Sequence, residues 1–343
     1  MSIRISDVAQ EAGVSPATAA RVISNKGYVS DKKRAQVEQA IKKLGYVPNR
    51  IASSLRTNKP YFIGHVVEMP AENPFFSVIC NTINETAEKA GYHVLTALKQ
   101  GTQAKERAVI ENLISLMVDA MIFTGNTASD ADTIDWIQSR GISVVMIERP
   151  SYGSRVDAVL LDSYRGATLA MEHMIARGHR EIGFLGMKHG QHEVEYQRYH
   201  GYRTALADHG LEPGPEWVGF VPDYTVEHGR QAINEMLRGG KIPTSLFITS
   251  DVLACGALQA LYEHGIKVPD DLSIVGFDNT LSSICSPRLT SIEMQLEQAG
   301  AAAVEMILER KEGLRTGVKK VMLSPVLVDR GSVRDLTQSA EKT

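Results

Sequence analysis

Residues 5–25 read Ile-Ser-Asp-Val-Ala-Gln-Glu-Ala-Gly-Val-Ser-Pro-Ala-Thr-Ala-Ala-Arg-Val-Ile-Ser-Asn. The apolar residues Ile5, Val8, Ala9 and Ala12 follow the 3.6-residue period and give a first helix one buried face. Gly13 supplies the freedom a tight turn needs. Ser15 can cap a second helix, and Pro16 suits its first position, where no backbone donor is required. Ala19, Val22 and Ile23 form the second buried stripe. Pro16, Ala17 and Arg21 lie off that stripe and face outward. This is a helix-turn-helix pattern, in which the second helix offers its N-terminal residues to the major groove. Double-stranded DNA is the first candidate partner.

The charge balance agrees. The 343-residue chain carries a net charge of −3, but residues 1–60 sum to +7 and the remainder to −10. A basic head on an acidic body is what phosphate neutralisation predicts. A third helix follows, with Ser30 as its cap and Val37, Ala40, Ile41 and Leu44 on one face, and Gly45 stops it. Lys32, Lys33, Arg34, Lys42 and Lys43 ride outside. Residues 49–56, Asn-Arg-Ile-Ala-Ser-Ser-Leu-Arg, allow one more short helix capped by Asn49, too short to persist alone in water. Thr57-Asn58-Lys59-Pro60 reads as a linker.

From about residue 61 short apolar runs alternate with amphipathic stretches of helical length. The runs are Phe62–Val67, His93–Ala97, Ala120–Phe123, Ser143–Ile147, Ala158–Leu161, Ile182–Leu185, Val218–Val221, Ser245–Ile248 and Ser273–Val275. Such alternation implies parallel sheets built by strand–helix–strand crossovers. The body is too long for one ordinary sheet, so two α/β subdomains are expected. Ligands of open α/β sheets bind at the carboxyl ends of strands, which directs attention to residues just after each run. Phe75 and Phe76 follow the first; their faces suit stacking on a sugar ring, and packing under a loop is the competing reading. Arg149 follows Ile147-Glu148, where a guanidinium can fork onto hydroxyl or carboxylate oxygens.

The chain resembles the lactose/galactose-repressor (LacI/GalR) family of bacterial transcription regulators over nearly its full length. The markers are Asp7-Val8-Ala9, Ala12-Gly13-Val14-Ser15, Arg21-Val22, Lys26-Gly27-Tyr28-Val29-Ser30, Leu44-Gly45-Tyr46-Val47-Pro48-Asn49, Ser54-Leu55-Arg56, Asn73-Pro74-Phe75-Phe76, Gly178-His179 and Val275-Gly276-Phe277-Asp278. The resemblance implies a helix-turn-helix head at 1–48, a hinge helix and linker at 49–60, and a periplasmic-binding-protein-like core at 61–336, with a polar tail at 337–343. Lobe 1 would comprise about 61–161 and 293–324, and lobe 2 about 162–291 and 326–336. The crossings fall near Leu161–Asp162, Ser291–Met294 and Ser324–Val326.

The family's base readers fall on Pro16, Ala17 and Arg21, of which Arg21 can make two hydrogen bonds to guanine. The DNA-facing set is completed by Ser15, Thr18 and Asn25 in the head, with Asn49, Ala52 and Leu55 in the hinge. Ala20 lacks the hydroxyl the family uses on a phosphate. Leu55 would wedge into the minor groove and kink the duplex. The resemblance places Arg198, Tyr224, Ser250 and Asp278 in the effector cleft beside Phe75, Phe76 and Arg149. Ser250 and Met294 stand where the family often has amides, so the effector is expected to differ from the simplest hexoses.

His189, His192, Glu193, Glu195 and His200 have no compact metal-ligand spacing, and an exposed loop near the cleft mouth is the plainer account; His192 or Glu195 could still touch the effector. There is no phosphate loop or nucleophile elbow, so neither an enzyme nor a cofactor is expected. Glu148 with Asp278 is only a weak acid–base pair. Cys80, Cys255 and Cys285 read as reduced structural thiols. No apolar run could span a membrane, and a cytoplasmic, nucleoid-associated protein is expected. The tail carries no leucine heptad, which favours a homodimer. The expectation is a DNA-binding repressor controlled by a sugar or sugar derivative; a solute-binding or sugar-processing protein on the same core is the alternative.

Overall fold

The computed structural model describes residues 3–25, 27–47, 62–67, 73–99, 102–125, 131–148, 156–188 and 193–337. The expected hinge with Asn49, Ala52 and Leu55, the cleft residue Arg149, and the loop residues His189 and His192 lie outside these. The chain divides into two compact units, Met1–Tyr61 and Phe62–Thr343.

In the first unit α1 (Ile5–Glu11), α2 (Pro16–Ile23) and α3 (Asp31–Leu44) enclose a core of Val8, Ala9, Ala12, Ala19, Val22, Val37 and Ala40. Gly13 turns the chain between α1 and α2 at φ 64°, a conformation in which an L side chain is strained. The Ser15 Oγ accepts the Thr18 backbone N–H at 3.2 Å and so caps α2.

The second unit contains two six-stranded sheets. The first runs β11-β5-β4-β3-β1-β2 and is wholly parallel. Its strands are β1 (Phe62–Val67), β2 (His93–Leu98), β3 (Ala120–Thr124), β4 (Ser143–Ile147), β5 (Asp157–Leu161) and β11 (Lys320–Leu323). The second runs β12-β10-β9-β8-β6-β7. It comprises β6 (Ile182–Met187), β7 (Val218–Val221), β8 (Ser245–Ile248), β9 (Ser273–Asp278), β10 (Thr290–Glu293) and β12 (Val326–Val328). Both sheets are parallel as expected, apart from the edge strand β12, which runs antiparallel to β10.

The chain passes between the sheets after β5, after β10 and between β11 and β12. Only Ser324 and Pro325 separate β11 from β12, and the chain changes sheets there, β11 pairing with β5 and β12 with β10. One apolar cluster joins the lobes, taking Ile63, Ile122 and Val145 from the first sheet and Phe184, Phe247 and Phe277 from the second. The carboxyl ends of β4, β8 and β9 carry Glu148, Thr249 and Asp278.

Candidate DNA-reading face and effector cleft

On the head, Pro16, Ala17 and Arg21 are exposed on α2, while Ala19 and Val22 hold its other face in the core. Thr18 is half-buried, and its hydroxyl lies 2.9 Å from that of Ser15, so both are engaged in closing the first turn. Asn25 follows α2 at φ 49° and accepts a hydrogen bond from Arg34 Nη1 at 3.1 Å. Arg34 thereby joins the exposed end of α2 to α3. Arg21 is left as an exposed guanidinium on the same helix as two small apolar residues. That surface can offer a fork to a guanine edge and a methyl contact to thymine.

In the core the side chains converge on Arg198. The helix Glu193–Asp208 carries it, and Gly201, one turn further on, lets this helix lie against Ser163–Ala176. A Cβ at Gly201 would sit 2.7 Å from the Tyr164 carbonyl oxygen. Arg198 Nη1 donates to the Thr249 carbonyl at 2.9 Å and the Tyr224 hydroxyl at 3.1 Å. The guanidinium also stacks on the Phe277 ring, 4.3 Å from its centroid. Carboxylates approach it from three elements: Asp278 at 3.5 Å, Glu195 at 3.8 Å and Glu148 at 4.0 Å. Tyr224 donates a short hydrogen bond to Glu195.

Burial sets the protonation of this cluster. Burial pushes Glu148 up to about 8, against the pull of Arg198 and with help from Asp278 and Glu195. Asp278 is pushed up to about 7 by burial, opposed by Arg198 and by the Ser250 hydroxyl. Arg198 is stabilised as a cation by Tyr224 and the carboxylates, which outweigh its desolvation. Glu148 and Asp278 also hold positive φ, 69° and 88°, conformations that side-chain-bearing residues keep only where the surroundings impose them.

Arg198 Nε and Asp278 Oδ1 are buried without a hydrogen-bond partner. One is a donor and the other an acceptor, and a ligand hydroxyl can satisfy both roles. A cavity of about 220 Å³ opens beside Glu148, lined by Leu160, Leu161 and Met322 of one lobe and Tyr164, Val194 and Gln197 of the other. Ser250 caps the helix Asp251–Glu263, accepting from the Val252 N–H at 3.2 Å. Phe75 is 3% exposed and packs in the apolar cluster with Ile63 and Ile79, so its burial favours the packing reading over stacking on a ligand. Phe76 is half-buried and meets Phe75 edge-on. Thr249 escaped the sequence reading; its position after β8 was the available signal. Among the described residues no group of His, Cys, Asp and Glu could hold a metal ion.

Residues 4–49 match the family described as bacterial regulatory proteins, lacI family, and residues 171–333 match a periplasmic binding protein-like domain. The HTH-type transcriptional regulator DegA of Bacillus subtilis is 34% identical over 98% of this chain and 99% of its own. The HTH-type transcriptional repressor PurR of Actinobacillus pleuropneumoniae serotype 3 is 32% identical over 97% of this chain and 99% of its own. Among solved structures, the Lac repressor dimer bound to operator and the anti-inducer ONPF has a TM-score of 0.83 at 26% identity, covering 97% of this chain and 100% of that one. A transcriptional regulator CelR–cellobiose complex has a TM-score of 0.72 at 26% identity, covering 96% and 99%.

Proposed function

The chain belongs to the LacI family of bacterial transcription regulators, and we propose that it is a homodimeric repressor whose operator affinity is set by a small polyhydroxylated effector held between its lobes. As a member of the family it is a DNA-binding regulator with an effector-binding core. The further reading concerns which residues do this work. Arg21 reads a base edge, with Pro16 and Ala17 in apolar contact beside it. Ser15, Thr18 and Asn25 order the flanks of that helix, while Asn49, Ala52 and Leu55 engage the minor groove between half-sites.

The observation that carries the effector assignment is that buried Arg198 Nε and Asp278 Oδ1 lack a hydrogen-bond partner among the described residues, Oδ1 being held only by its 3.5 Å ion pair with Arg198 Nη2. Each would cost free energy if left unsatisfied in the working complex. A vicinal diol supplies a donor to Asp278 and an acceptor to Arg198. Tyr224 and Ser250 complete the polar lining, Phe76 provides the apolar face, and Arg149, outside the described residues, is expected beside them from its sequence position. A structural relative of similar length was solved as a cellobiose complex, so glycosides belong in the search.

The direct test is a thermal-shift screen of the full-length protein against sugars, sugar acids, polyols and nucleosides. A true effector at 100 times its dissociation constant stabilises the core by about 2.7 kcal/mol. Stabilisation by such a compound that persists unchanged in Asp278→Asn would overturn the site.

A further inference from the structure

Cys255 and Cys285 are thirty residues apart in sequence, yet their sulfurs lie 3.2 Å apart. Both thiols are free and half-buried. Their meeting lies beside a second contact, a polar one, between the helix Asp251–Glu263 and the loop that follows β9. In the polar contact, Asp251 Oδ2 accepts the backbone N–H groups of Leu281 and Ser282, each at 3.0 Å. Asp251 Oδ1 accepts from Ser291 Oγ at 2.8 Å. Gly276 makes space for this carboxylate, since a Cβ there would lie 2.6 Å from Oδ1. Cys255 is one helical turn beyond Asp251. Cys285 is one turn beyond Leu281, whose carbonyl accepts its N–H at 3.2 Å. The two turns run side by side and bring the thiols together.

We propose that Cys255 and Cys285 are a dithiol–disulfide pair, oxidised by hydroperoxides, that fastens the loop after Asp278 to the helix capped by Ser250. The Cys285 thiolate attacks one peroxide oxygen, the O–O bond breaks, and hydroxide leaves as water after taking a proton. Cys255 then attacks the resulting sulfenic sulfur; the S–S bond forms, the S–O bond breaks, and a second water departs. Two thiols lose two electrons and two protons, and one hydrogen peroxide becomes two waters. A small dithiol reverses the step. Either sulfur can donate to the other across the 3.2 Å gap, so whichever thiol ionises first is held beside its partner, and the same disulfide results if Cys255 attacks in place of Cys285.

Cys80 supplies an internal control. It is buried next to His65, with its sulfur 3.8 Å from Nδ1, and burial pushes its thiol up to about 11. The thiol chemistry stands independently of the effector reading; only its reach into the cleft, through Ser250 and Asp278, rests on that reading.

The test is hydrogen peroxide treatment of the full-length protein, followed by denaturing alkylation and intact mass. The expected product has lost 2 Da, on the order of one disulfide per chain, and takes up one alkyl group instead of three. Peptide mapping should join the segments holding Cys255 and Cys285, leave Cys80 alkylated, and show full reversal by dithiothreitol. Cys255→Ser should instead accumulate the sulfinic acid on Cys285. Amide exchange at Leu281 and Ser282 should slow on oxidation of the wild type only. Three alkylated thiols after treatment, a bond to Cys80, or a disulfide between chains would overturn the proposal. If the disulfide forms but a ligand from the thermal-shift screen binds both forms equally, the thiol chemistry holds and its reach into the cleft fails.

Discussion

Replacing Arg198 with Met removes the cation that, among the described residues, three carboxylates share, while keeping most of the side-chain volume. The wild-type cluster already has a pH signature. Glu148 and Asp278 are raised to about 8 and about 7, so the folded core holds protons that the unfolded chain has released. A carboxyl raised on folding stabilises fully below its unfolded value and loses that contribution as pH rises through its folded value. Wild-type stability should therefore decline between about pH 4.5 and pH 8. Arg198 limits this decline, because it pulls both carboxyls down. Without it the two acids hold their protons to still higher pH, and ionising them becomes more costly. Breaking a buried pair by removing one partner costs about 3–5 kcal/mol. That loss should appear at pH 8.5 and shrink to less than about half at pH 5.5, where Glu148 and Asp278 are protonated in both proteins. Urea unfolding of the two proteins, followed by circular dichroism at both pH values, measures the difference. An equal loss at the two pH values, or a larger one at pH 5.5, would show that Arg198 acts by packing on Phe277 and not by charge.

Effector binding should share the protonation of Asp278. A hydroxyl donating to Asp278 favours its ionised form, so affinity should tighten from pH 6 to pH 8 with proton release, and Asp278→Asn should weaken binding roughly tenfold or more and flatten the profile. Calorimetry in two buffers of different protonation enthalpy reads the proton count, and proton uptake would refute the donor geometry. On the head, Arg21→Ala should cost about 1–3 kcal/mol per half-site and leave a weaker, salt-dependent attachment. Unchanged discrimination between operator and scrambled DNA in an anisotropy titration would reject it as a base reader. Leu55→Ala should reduce DNA bending together with operator affinity and spare effector binding; unaltered bending by circular-permutation electrophoresis would make Leu55 structural.

The head was legible because its signals are local. Ser15, Gly13 and Gly45 act within a few residues of their own positions, and the apolar periods of α1 and α2 are uninterrupted. The longer strands were legible for the same reason, as buried runs such as Ala120–Thr124 and Ser273–Asp278. Strands β10, β11 and β12 were missed as strands: β11 alternates between exposed and half-buried positions, β12 is three residues long with no buried position, and β10 was read as a crossing between lobes. The cleft was legible only in part. Arg198 and Asp278 carry motifs, whereas Glu195 gains its meaning from Tyr224, 29 residues away, and Thr249 from Arg198, 51 away. Cys255 and Cys285 read as unrelated structural thiols until the loop after β9 folded back onto the helix.

The placement of the charges suggests how a bound effector could reach the DNA. Arg198, Glu195, Tyr224 and Asp278 belong to the lobe built on the second sheet, and Glu148 ends β4 of the first. Arg198 therefore faces a carboxylate from each lobe, at 3.5 Å in its own and 4.0 Å across the cleft. The attraction across the cleft depends on Glu148 being ionised, and burial works against that. A ligand that occupies Arg198 Nε and Asp278 Oδ1 changes the field in which Glu148 titrates, and with it the force between the lobes. A ligand shifts a conformational equilibrium only by its differential affinity for the two states. One that strengthens the Arg198–Glu148 attraction favours closure; one that replaces it with its own hydroxyls releases the lobes. On the proposed site, a ligand that spans the Glu148 gap would act oppositely to one that fills only the side of Arg198 and Asp278. Glu148→Gln separates these cases. Above about pH 8, where Glu148 is ionised, it removes the cross-cleft charge while keeping the side chain's size, so there it should change the coupling between effector and operator binding more than effector affinity itself, and below about pH 6.5 it should change little. Loss of effector affinity with unchanged coupling would place Glu148 among the ligand's direct contacts and end its role as the link between lobes.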